Sequence, residues 1–353
     1  MQNPCLRINS KKFLANAQAL GAAFEKYDKK VHFVTKCVCA YEPLVKLLAE
    51  NGFTHLADSR LENFEVLKKY AEDSLLLRLP MLSELSKVVS LCDISLNSEL
   101  ATIKGLSEAA LVQQKLHKII LMLELGDRRE GADLEEAEEI IRAMQQLKGV
   151  KLVGLGANFN CYGGVIPDQG KMQVLGDFAQ TMEEKYGVEL EYVSGGNSGS
   201  LYLLQEGKLP ASVNHLRIGE ALLLGRETSY GQDLPGMYQD AFSLRAEVIE
   251  AKRKHSLPDG KIGLNALGQP VSFEDRGYLD RVILAIGAQD VEPSELRPLQ
   301  AGVEFLGNSS DHSIYNISDY EGELSVGDSL EFGLDYACLL RLSTSPYVHK
   351  ELY

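Results

Sequence analysis

The chain has 353 residues, 45% hydrophobic and 24% charged, and its 36 lysines and arginines stand against 50 aspartates and glutamates, a net charge of −14. This composition is that of a globular protein and excludes a disordered or fibrous chain. The acidic balance argues against nucleic acid as a partner, because neutralising phosphates needs a basic surface. The length predicts two domains, since a single domain usually holds roughly 100–200 residues.

No targeting or membrane signal is visible in the sequence. The first residues lack the apolar core and the small-residue cleavage site of a signal peptide. The longest apolar runs, Ile119–Leu123 and Ala221–Leu224, are far shorter than the ~20 residues that span a bilayer. Six cysteines, none in a CxxC pair or at zinc-site spacing from histidines, predict free thiols and no metal site. We therefore expect a cytoplasmic protein with no membrane partner.

Short aliphatic runs alternate with amphipathic stretches along the first two thirds of the chain. The candidate strands are His32–Lys36, His55–Asp58, Leu75–Leu79, Ile94–Asn97, Lys118–Glu124, Lys151–Asn158, Leu190–Ser194 and Val213–Arg217. The clearest candidate helices are Pro43–Asn51, Arg60–Tyr70, Leu134–Leu147 and Gly170–Tyr186. An open doubly wound sheet gives the same alternation, but the count of eight strands favours a (β/α)8 barrel.

After Gly225 the pattern changes to strands separated by turn residues, without intervening helices. The candidate strands here are Ser243–Ala251, Tyr278–Ile286, Gly302–Leu306, Ser313–Ser318, Ser329–Gly333 and Ala337–Ser343. The predicted fold class is therefore α/β, a (β/α)8 barrel followed by an all-β C-terminal domain. We expect the barrel to cover residues 9–228 and the β-domain residues 229–353, with residues 1–8 able to join its sheet.

The catalytic groups of a barrel lie at the carboxyl ends of its strands. Lys36 closes the first strand directly after the apolar residues Val31–Val34. Burying a lysine as a cation is costly, and its neutral amine is the form that attacks a carbonyl group. The alternative for Lys36 is a side chain that reaches solvent from the strand end.

Two glycine-containing segments near the last two strands predict an anion site. Ser194–Ser200 offers backbone amides before a helix, and Gly219 offers more after the eighth strand, where barrels usually bind phosphate. The alternative for the first segment is a flexible turn with a serine cap. Arg217 ends the eighth strand in the same region, where its alternative role is an ion pair with an acid such as Glu220.

The order and spacing of these motifs resemble those of the alanine racemase family, and most closely its ornithine racemase branch. The motifs are Thr-Lys-Cys at 35–37, Ala-Asp-Ser-Arg-Leu-Glu-Asn at 57–63, Gly-Asp-Arg-Arg-Glu-Gly at 126–131, Asn-Phe-Asn-Cys-Tyr-Gly-Gly at 158–164, Ser-Gly-Gly-Asn-Ser at 194–198, Gly-Glu-Ala-Leu-Leu-Leu-Gly-Arg at 219–226 and Ser-Ser-Asp-His at 309–312. The resemblance implies an enzyme with pyridoxal 5'-phosphate as cofactor and a free amino acid as substrate. It also implies a homodimer in which each β-domain completes the partner's site.

The resemblance assigns a role to each matching residue. Lys36 would hold the cofactor covalently and exchange a proton on one face of the substrate Cα. Arg217 would face the pyridine nitrogen, and Arg129 would contact the phenolic oxygen. A permanent cation at the pyridine nitrogen makes the ring a poorer electron sink, which favours proton return to Cα over transamination. The implied phosphate-binding and remaining cofactor-binding residues are Ser198, Gly219, Glu220, Asn158 and Asn197.

The chain departs from the alanine racemase pattern at three places. Ala285–Asp290 lacks the family's tyrosine base, Met122 replaces a lysine that supports the loop arginine, and Asn158 replaces a ring-stacking histidine. A racemase needs a second base opposite the lysine, because inversion requires protons on both faces. The candidates for this base are Asp311, His312, Asp290, Cys161 and Tyr162, of which we favour the pair Asp311 and His312.

Asp311 has two other interpretations. It can be the residue of an Asx turn after Asn308, or it can bind the distal amine of a basic amino acid, as an aspartate near this place does in related decarboxylases. The favoured function is racemisation of ornithine or another basic amino acid. The alternatives are a decarboxylase, whose Cys-Asp pair is Ser310-Asp311 here, a non-catalytic pyridoxal phosphate carrier, which leaves the β-domain unexplained, and a generic binding barrel.

Overall fold

The computed structural model describes residues 4–266 and 268–353. The chain divides into two compact units, one of Leu14–Gln239 and one of Asp240–Tyr353 together with the residues up to Phe13. Strand β1 (Cys5–Ile8) and helix α1 (Ser10–Lys26) come first. Of the helices within the described residues, none has both the length and the apolar character that crossing a membrane requires.

The first unit is a closed barrel of eight parallel strands that follow one another in chain order. The strands are β2 (Lys30–Val34), β3 (His55–Asp58), β4 (Asp73–Leu76), β5 (Ile94–Asn97), β6 (His117–Leu123), β7 (Val150–Ala157), β8 (Tyr192–Ser194) and β9 (His215–Ile218). The helices are α2 (Glu42–Glu50), α3 (Phe64–Leu67), α4 (Leu85–Leu91), α5 (Leu100–Val112), α6 (Leu134–Met144), α7 (Gln169–Tyr186), α8 (Leu201–Gln205) and α9 (Glu220–Leu224). The (β/α)8 barrel predicted from the alternation is confirmed.

Sequence patterns account for both layers of the barrel. A core cluster of buried side chains from several strands includes Val34, Leu96 and Ile120, and each such side chain contributes about 1.5–3 kcal/mol on burial. In α6 the carboxylate of Asp133 accepts a hydrogen bond from the Glu136 amide at 2.9 Å, which caps the helix. The buried residues of α6 recur at helical spacing, so this helix packs by one apolar face.

The segment after the last barrel strand belongs to the barrel unit. Asn16 of α1 is fully buried, its Oδ1 accepts from the Tyr238 amide at 2.7 Å, and its Nδ2 donates to the Tyr238 carbonyl at 2.8 Å. These bonds tie the segment to α1. The compact unit accordingly extends to Gln239, whereas the sequence placed the boundary after residue 228.

The second unit is a largely antiparallel sheet. Its further strands are β10 (Phe242–His255), β11 (Tyr278–Leu284), β12 (Arg297–Pro298), β13 (Glu304–Asn308), β14 (Ser313–Asn316), β15 (Ser329–Gly333) and β16 (His349–Leu352). The path runs β12-β15-β10-β11-β14-β13, and β1 pairs with both β10 and β16. Of the N-terminal residues expected to join this sheet, Cys5–Ile8 do so, and residues 1–3 lie outside the described part of the chain. The predicted β-rich C-terminal domain is confirmed.

One predicted strand of this domain is wrong. Ala337–Ser343 lies within helix α10 (Tyr336–Thr344). The Asp335 carboxylate accepts a hydrogen bond from the Cys338 amide at 2.7 Å and caps this helix. The buried residues recur at helical spacing: Cys338, Leu339, Leu342 and Ser343. A short aliphatic run does not distinguish a buried helix from a strand, which is why the sequence predicted a strand here.

Candidate active site

Lys36 lies just beyond the carboxyl end of β2, and it is half-buried. Strand β2 pairs with β9, so that His32 is opposite Arg217 and Phe33 is opposite Ile218. Lys36 thus follows the strand that is adjacent to the strand of Arg217. Among the residues that the structure describes, none forms a hydrogen bond or ion pair with the Lys36 amine. This amine is therefore available to a ligand.

The residue before Lys36 is fixed by the end of the next strand. Thr35 Oγ1 donates to Asp58 Oδ2 at 2.8 Å, and the Thr35 amide donates to the Ala57 carbonyl at 2.9 Å. Asp58 is fully buried and also accepts from Asn63 Nδ2 at 2.9 Å. Burial raises the pKa of Asp58, although these donors favour its charged form. The network fixes the backbone from which Lys36 projects.

Arg217 is a buried cation held by neutral acceptors. Its Nη2 donates to the Ala157 carbonyl at 2.9 Å and to Asn158 Oδ1 at 2.6 Å, and its Nη1 donates to Ser194 Oγ. Burial lowers the pKa of Arg217 to about 10, so the guanidinium stays charged at neutral pH. The structure brings Arg217 and Asn158, both predicted site residues, into direct contact.

A second arginine is linked to Arg217 through two side chains. Asn158 Nδ2 donates to Glu130, and Arg129 forms an ion pair with Glu130 in which Nη2 lies 2.6 Å from Oε1. Burial opposes ionisation of Glu130, but Arg129, the Asn158 bond and the charge of Arg217 together lower its pKa. The hydrogen bond from Arg129 to Glu130 raises the pKa of Arg129. We name the series Arg217, Asn158, Glu130 and Arg129 the arginine relay.

The position of the family's supporting lysine belongs to the packed core of the barrel. Met122, at the family's lysine position, is fully buried, and its Sδ is 3.1 Å from where a Cβ on Gly156 would lie. A cationic side chain would be costly in this packed position. The carboxylate beside Arg129 is instead that of its neighbour in sequence, Glu130.

The predicted anion segment is a tightly bonded turn. Asn197 Oδ1 accepts from the Gly199 amide at 2.8 Å, and Ser200 Oγ donates to the Gly195 carbonyl at 2.6 Å. Gly196 has φ +105°, a conformation that side-chain-bearing residues rarely adopt. These hydrogen bonds and this backbone conformation define the shape of the turn.

The two glycine-containing segments are joined through Ser198. Ser198 is buried, and its Oγ accepts from the Ala221 amide at 3.1 Å in the first turn of α9. Gly219 immediately precedes α9, and an added Cβ there would lie 3.3 Å from Val34 Cβ. Glu220 is the first residue of α9. The structure thus brings Ser198, Gly219 and Glu220 to one part of the barrel rim, as the sequence predicts.

Two candidates for the second base lie in the loop after β7. The side chain of Tyr162 is exposed, and the thiol of Cys161 accepts a hydrogen bond from Asn197 Nδ2 at 3.3 Å. Asp127 Oδ2 accepts from the Tyr162 amide at 3.1 Å, so this loop is fastened to the loop after β6. Asn197 and Asp127 therefore position the loop that carries both candidates.

Asp311 and His312 form a pair in the second unit. His312 Nδ1 and Asp311 Oδ1 are 2.7 Å apart, and this hydrogen bond lowers the pKa of the exposed Asp311 carboxyl. The loop at Ala285–Asp290 packs against them, because a Cβ on Gly287 would lie 2.5 Å from the Asp311 amide nitrogen. Asp290 itself is buried and accepts from Ser345 Oγ at 2.6 Å, a structural role.

Sequence reasoning missed the polar groups beneath Arg217. His215 Nδ1 is 2.8 Å from Ser194 Oγ, and His215 Nε2 is 2.8 Å from His32 Nδ1. Burial lowers the pKa of His32 to about 3 and that of His215 well below its ordinary value, so both rings are neutral. Sequence reasoning also missed Glu130, although this residue adjoins Arg129 in sequence. The signal for the histidines was their alternation with apolar residues on two strands that close the barrel.

Two proteins with known activities are similar to this chain over almost its whole length. The ornithine racemase of Acetoanaerobium sticklandii is 43% identical over 350 residues, 99% of each chain. The lysine racemase of Thermotoga maritima is 39% identical over 352 residues, 99% of this chain and 98% of that one. The crystal structure of alanine racemase from Bartonella henselae with covalently bound pyridoxal phosphate shares the fold, with a TM-score of 0.76, 16% identity and 99% coverage of both chains.

The protein is an amino-acid racemase. This class is defined by the full-length relatives, together with the barrel and the residues at its carboxyl edge. The family model described as "Alanine racemase, N-terminal domain" matches residues 8–227. The chain belongs to the alanine racemase family.

Proposed function

We propose that the protein racemises a free basic amino acid, with ornithine as the preferred substrate, by exchanging the proton at Cα with the help of pyridoxal 5'-phosphate. The observation that carries the proposal is the Lys36 amine, unpaired among the described residues, just after β2, which pairs with the strand of buried Arg217. Full-length similarity to an ornithine racemase and a lysine racemase supports the substrate class.

The residues at the carboxyl edge fit this cofactor. The Lys36 amine matches an aldehyde, and the donors of Arg217 match a ring nitrogen. The Ser198 hydroxyl and the backbone at Gly219 match a phosphate, since hydroxyls and helix-start amides are its usual partners. Asn197 orders the turn that carries Ser198. When bound, pyridoxal phosphate delocalises the electron pair left at Cα when the proton departs.

Lys36 and Arg217 have complementary tasks in the proposal. Lys36 takes the Cα proton of one enantiomer on one face, or donates it there in the reverse direction, while the second base exchanges a proton on the opposite face. Thr35 and Asp58 keep the Lys36 backbone in place. Arg217 remains cationic because its pKa, lowered by burial to about 10, is still well above neutral pH. A cation resists protonation of the ring nitrogen that it faces. The arginine relay fixes the position of Arg217 and holds Arg129 for the phenolic oxygen.

The second proton donor and acceptor is proposed to be the pair of Asp311 and His312. The 2.7 Å hydrogen bond orients the imidazole, and Asp311 stays anionic because the bond lowers its pKa. An imidazole next to a carboxylate is a common general acid–base unit. In this family arrangement the β-domain of a second copy of the chain supplies the pair, so we propose a homodimer.

Asp311 also supports the preference for a basic substrate. The carboxylate is exposed and anionic, which suits the distal ammonium group of ornithine or lysine. Alanine has no group for such a carboxylate. A reaction on alanine alone would therefore leave Asp311 without this role.

The test uses the purified protein with single amino acids in heavy water. We expect solvent deuterium at Cα of both enantiomers of ornithine, slower exchange with lysine, still slower exchange with alanine, and no release of CO2. Sedimentation of the same sample should give a dimer. Release of CO2 would instead indicate a decarboxylase, and absence of exchange with every amino acid in the presence of added pyridoxal phosphate would overturn the proposal.

A further inference from the structure

Three metal-ligating side chains meet at the amino edge of the barrel. His55 opens β3 and Asp73 opens β4, and these two residues are paired in register. His32 comes from β2, and its Nε2 is 3.8 Å from Asp73 Oδ2. One potential ligand atom from each residue lies within 4.8 Å of the other two. The candidate active-site residues of the barrel lie at its opposite edge.

His32 points to a missing ligand. The side chain is fully buried, and its Nδ1 is hydrogen bonded to His215. Among the described residues, nothing forms a hydrogen bond with His32 Nε2. A buried ring nitrogen without a partner costs free energy, and this nitrogen belongs to the cluster with His55 and Asp73.

Two residues of the cluster border a depression that is open to solvent. An open depression of about 620 Å³ is lined by His55 and Asp73, and also by three further carboxylates and three lysines. The positive charge of Lys118 opposes a cation near His32. The carboxylates that line the depression, Glu191 among them, offset the lysine charges. An ion can therefore reach His55 and Asp73 from solvent, whereas His32 is fully buried behind them.

We propose that His32, His55 and Asp73 bind one divalent transition-metal ion, with zinc as the favoured ion. Two imidazoles and one carboxylate are the ligand set that zinc accepts, and a fourth position remains open to water.

The surroundings orient two of the three ligands. Tyr192 donates its hydroxyl to Asp73 Oδ2, and His32 Nδ1 contacts His215. Ligating histidines usually donate a hydrogen bond from their second ring nitrogen to a neighbouring acceptor, and ligating carboxylates are usually hydrogen bonded.

With the metal on Nε2, the proton of His32 lies on Nδ1 and is donated to His215 Nε2. His215 then donates from Nδ1 to Ser194, which also accepts from Arg217.

Cysteine spacing in the sequence predicts no metal site. These ligands come from three neighbouring strands, so their meeting depends on the barrel rather than on a local motif. Two ligands share the first register position of their strands, and the third lies on the strand next to β3.

The test loads the whole protein, after dialysis against a chelator, with Co²⁺ or Zn²⁺. We expect about one bound metal ion per chain, a visible d–d absorption with Co²⁺ that Zn²⁺ abolishes, and a rise in Tm with Zn²⁺. His55→Ala should weaken Co²⁺ binding at least about tenfold and remove the rise in Tm. His255→Ala is the matched control, because His255 also lies beside a carboxylate, with Nε2 3.7 Å from Asp275.

Asp73→Asn tests the cluster without removing a ring, and circular dichroism of each variant verifies the fold. The proposal is overturned by a chelated protein that gives neither a Co²⁺ band nor stoichiometric Zn²⁺, or by His55→Ala and Asp73→Asn variants that bind metal as the parent does. Racemisation is not the readout, so the outcome is independent of the proposed function.

Discussion

Asn158 Oδ1 accepts a hydrogen bond from Arg217 Nη2 at 2.6 Å, and the same side chain donates from Nδ2 to Glu130. The neutral amide of Asn158 therefore stands between the buried guanidinium of Arg217 and the carboxylate of Glu130. A direct carboxylate would consume the donors of Arg217 in an ion pair. The amide fixes its position and leaves its positive charge for a ligand.

The first prediction concerns this amide. Asn158→Leu removes an acceptor from Arg217 and a donor from Glu130, so the free energy of unfolding should fall by about 1–3 kcal/mol. Racemisation should fall with it, because Arg217 and Arg129 lose their link. Urea unfolding and racemase assays measure both. Asn51→Leu is the control, since its exposed side-chain amide bonds, within the described residues, only to the Leu47 carbonyl at 2.9 Å. An equal loss in both variants would contradict the relay.

The second prediction concerns the charge of Arg217. Arg217→Gln should lower kcat roughly 10²-fold, the usual effect of losing a preorganised donor, and should increase conversion of the cofactor to its amino form by transamination. The measurements are racemisation rates and the absorption spectrum during turnover. Arg226→Gln, at an arginine that forms an ion pair with Asp233, should retain the parent rate. Unchanged kcat in Arg217→Gln would refute the assignment.

The third prediction is a dependence of stability on pH. Burial lowers the pKa of His32 to about 3 and that of His117 to about 4, and it lowers the pKa of His215 as well. Below the pKa of an unfolded histidine, near 6.5, the unfolded chain binds protons that the folded chain does not. Stability should therefore be complete above this pH and fall as the pH falls through it. Each buried histidine adds a slope of up to about 1.4 kcal/mol per pH unit.

His117→Gln isolates one of these histidines. Its ring contacts Ser95 Oγ at 2.8 Å, and glutamine has no titrating group. Denaturant unfolding between about pH 7 and about pH 5 should show a shallower slope in the variant by up to about 1.4 kcal/mol per pH unit. A slope equal to that of the parent would mean that His117 is protonated in the folded protein.

The sequence predicted the barrel and the candidate residues at its carboxyl edge because both follow from the order of strands and helices along the chain. Strand and helix periods follow one another, and Lys36, Ser198 and Arg217 each end or follow a strand. The partners of these residues depend on register, which no local pattern reveals. His32 lies opposite Arg217 only because β2 closes the barrel against β9.

The sequence shows that Met122 and Asn158 stand where the family has a lysine and a histidine. It does not show which contacts these positions make instead. Glu130 takes the place beside Arg129, and Asn158 joins this pair to Arg217. The Arg129–Glu130 ion pair joins neighbours in sequence, but the contact of Asn158 with Arg217 joins residues 59 positions apart. No pattern within a single segment predicts this second contact.

The fourth prediction separates two roles of the β-domain pair. If the pair supplies the second base, His312→Gln and Asp311→Asn should each lower kcat for ornithine by about 10²-fold or more. If Asp311 binds the distal amine, Asp311→Asn should chiefly raise KM for ornithine and leave KM for alanine unchanged. His255→Gln serves as the control for loss of an exposed ring. Intact racemisation in both pair variants would exclude them as the second base.

The central claim is that Lys36 holds the cofactor and moves the Cα proton. The most direct measurement is borohydride reduction of the protein with bound pyridoxal phosphate, followed by mass-spectrometric mapping of the modified peptide. Our account predicts a single pyridoxyl group on Lys36, absent from Lys36→Ala, which should also lack racemase activity. A pyridoxyl group on another lysine, or none on the active enzyme, would contradict it.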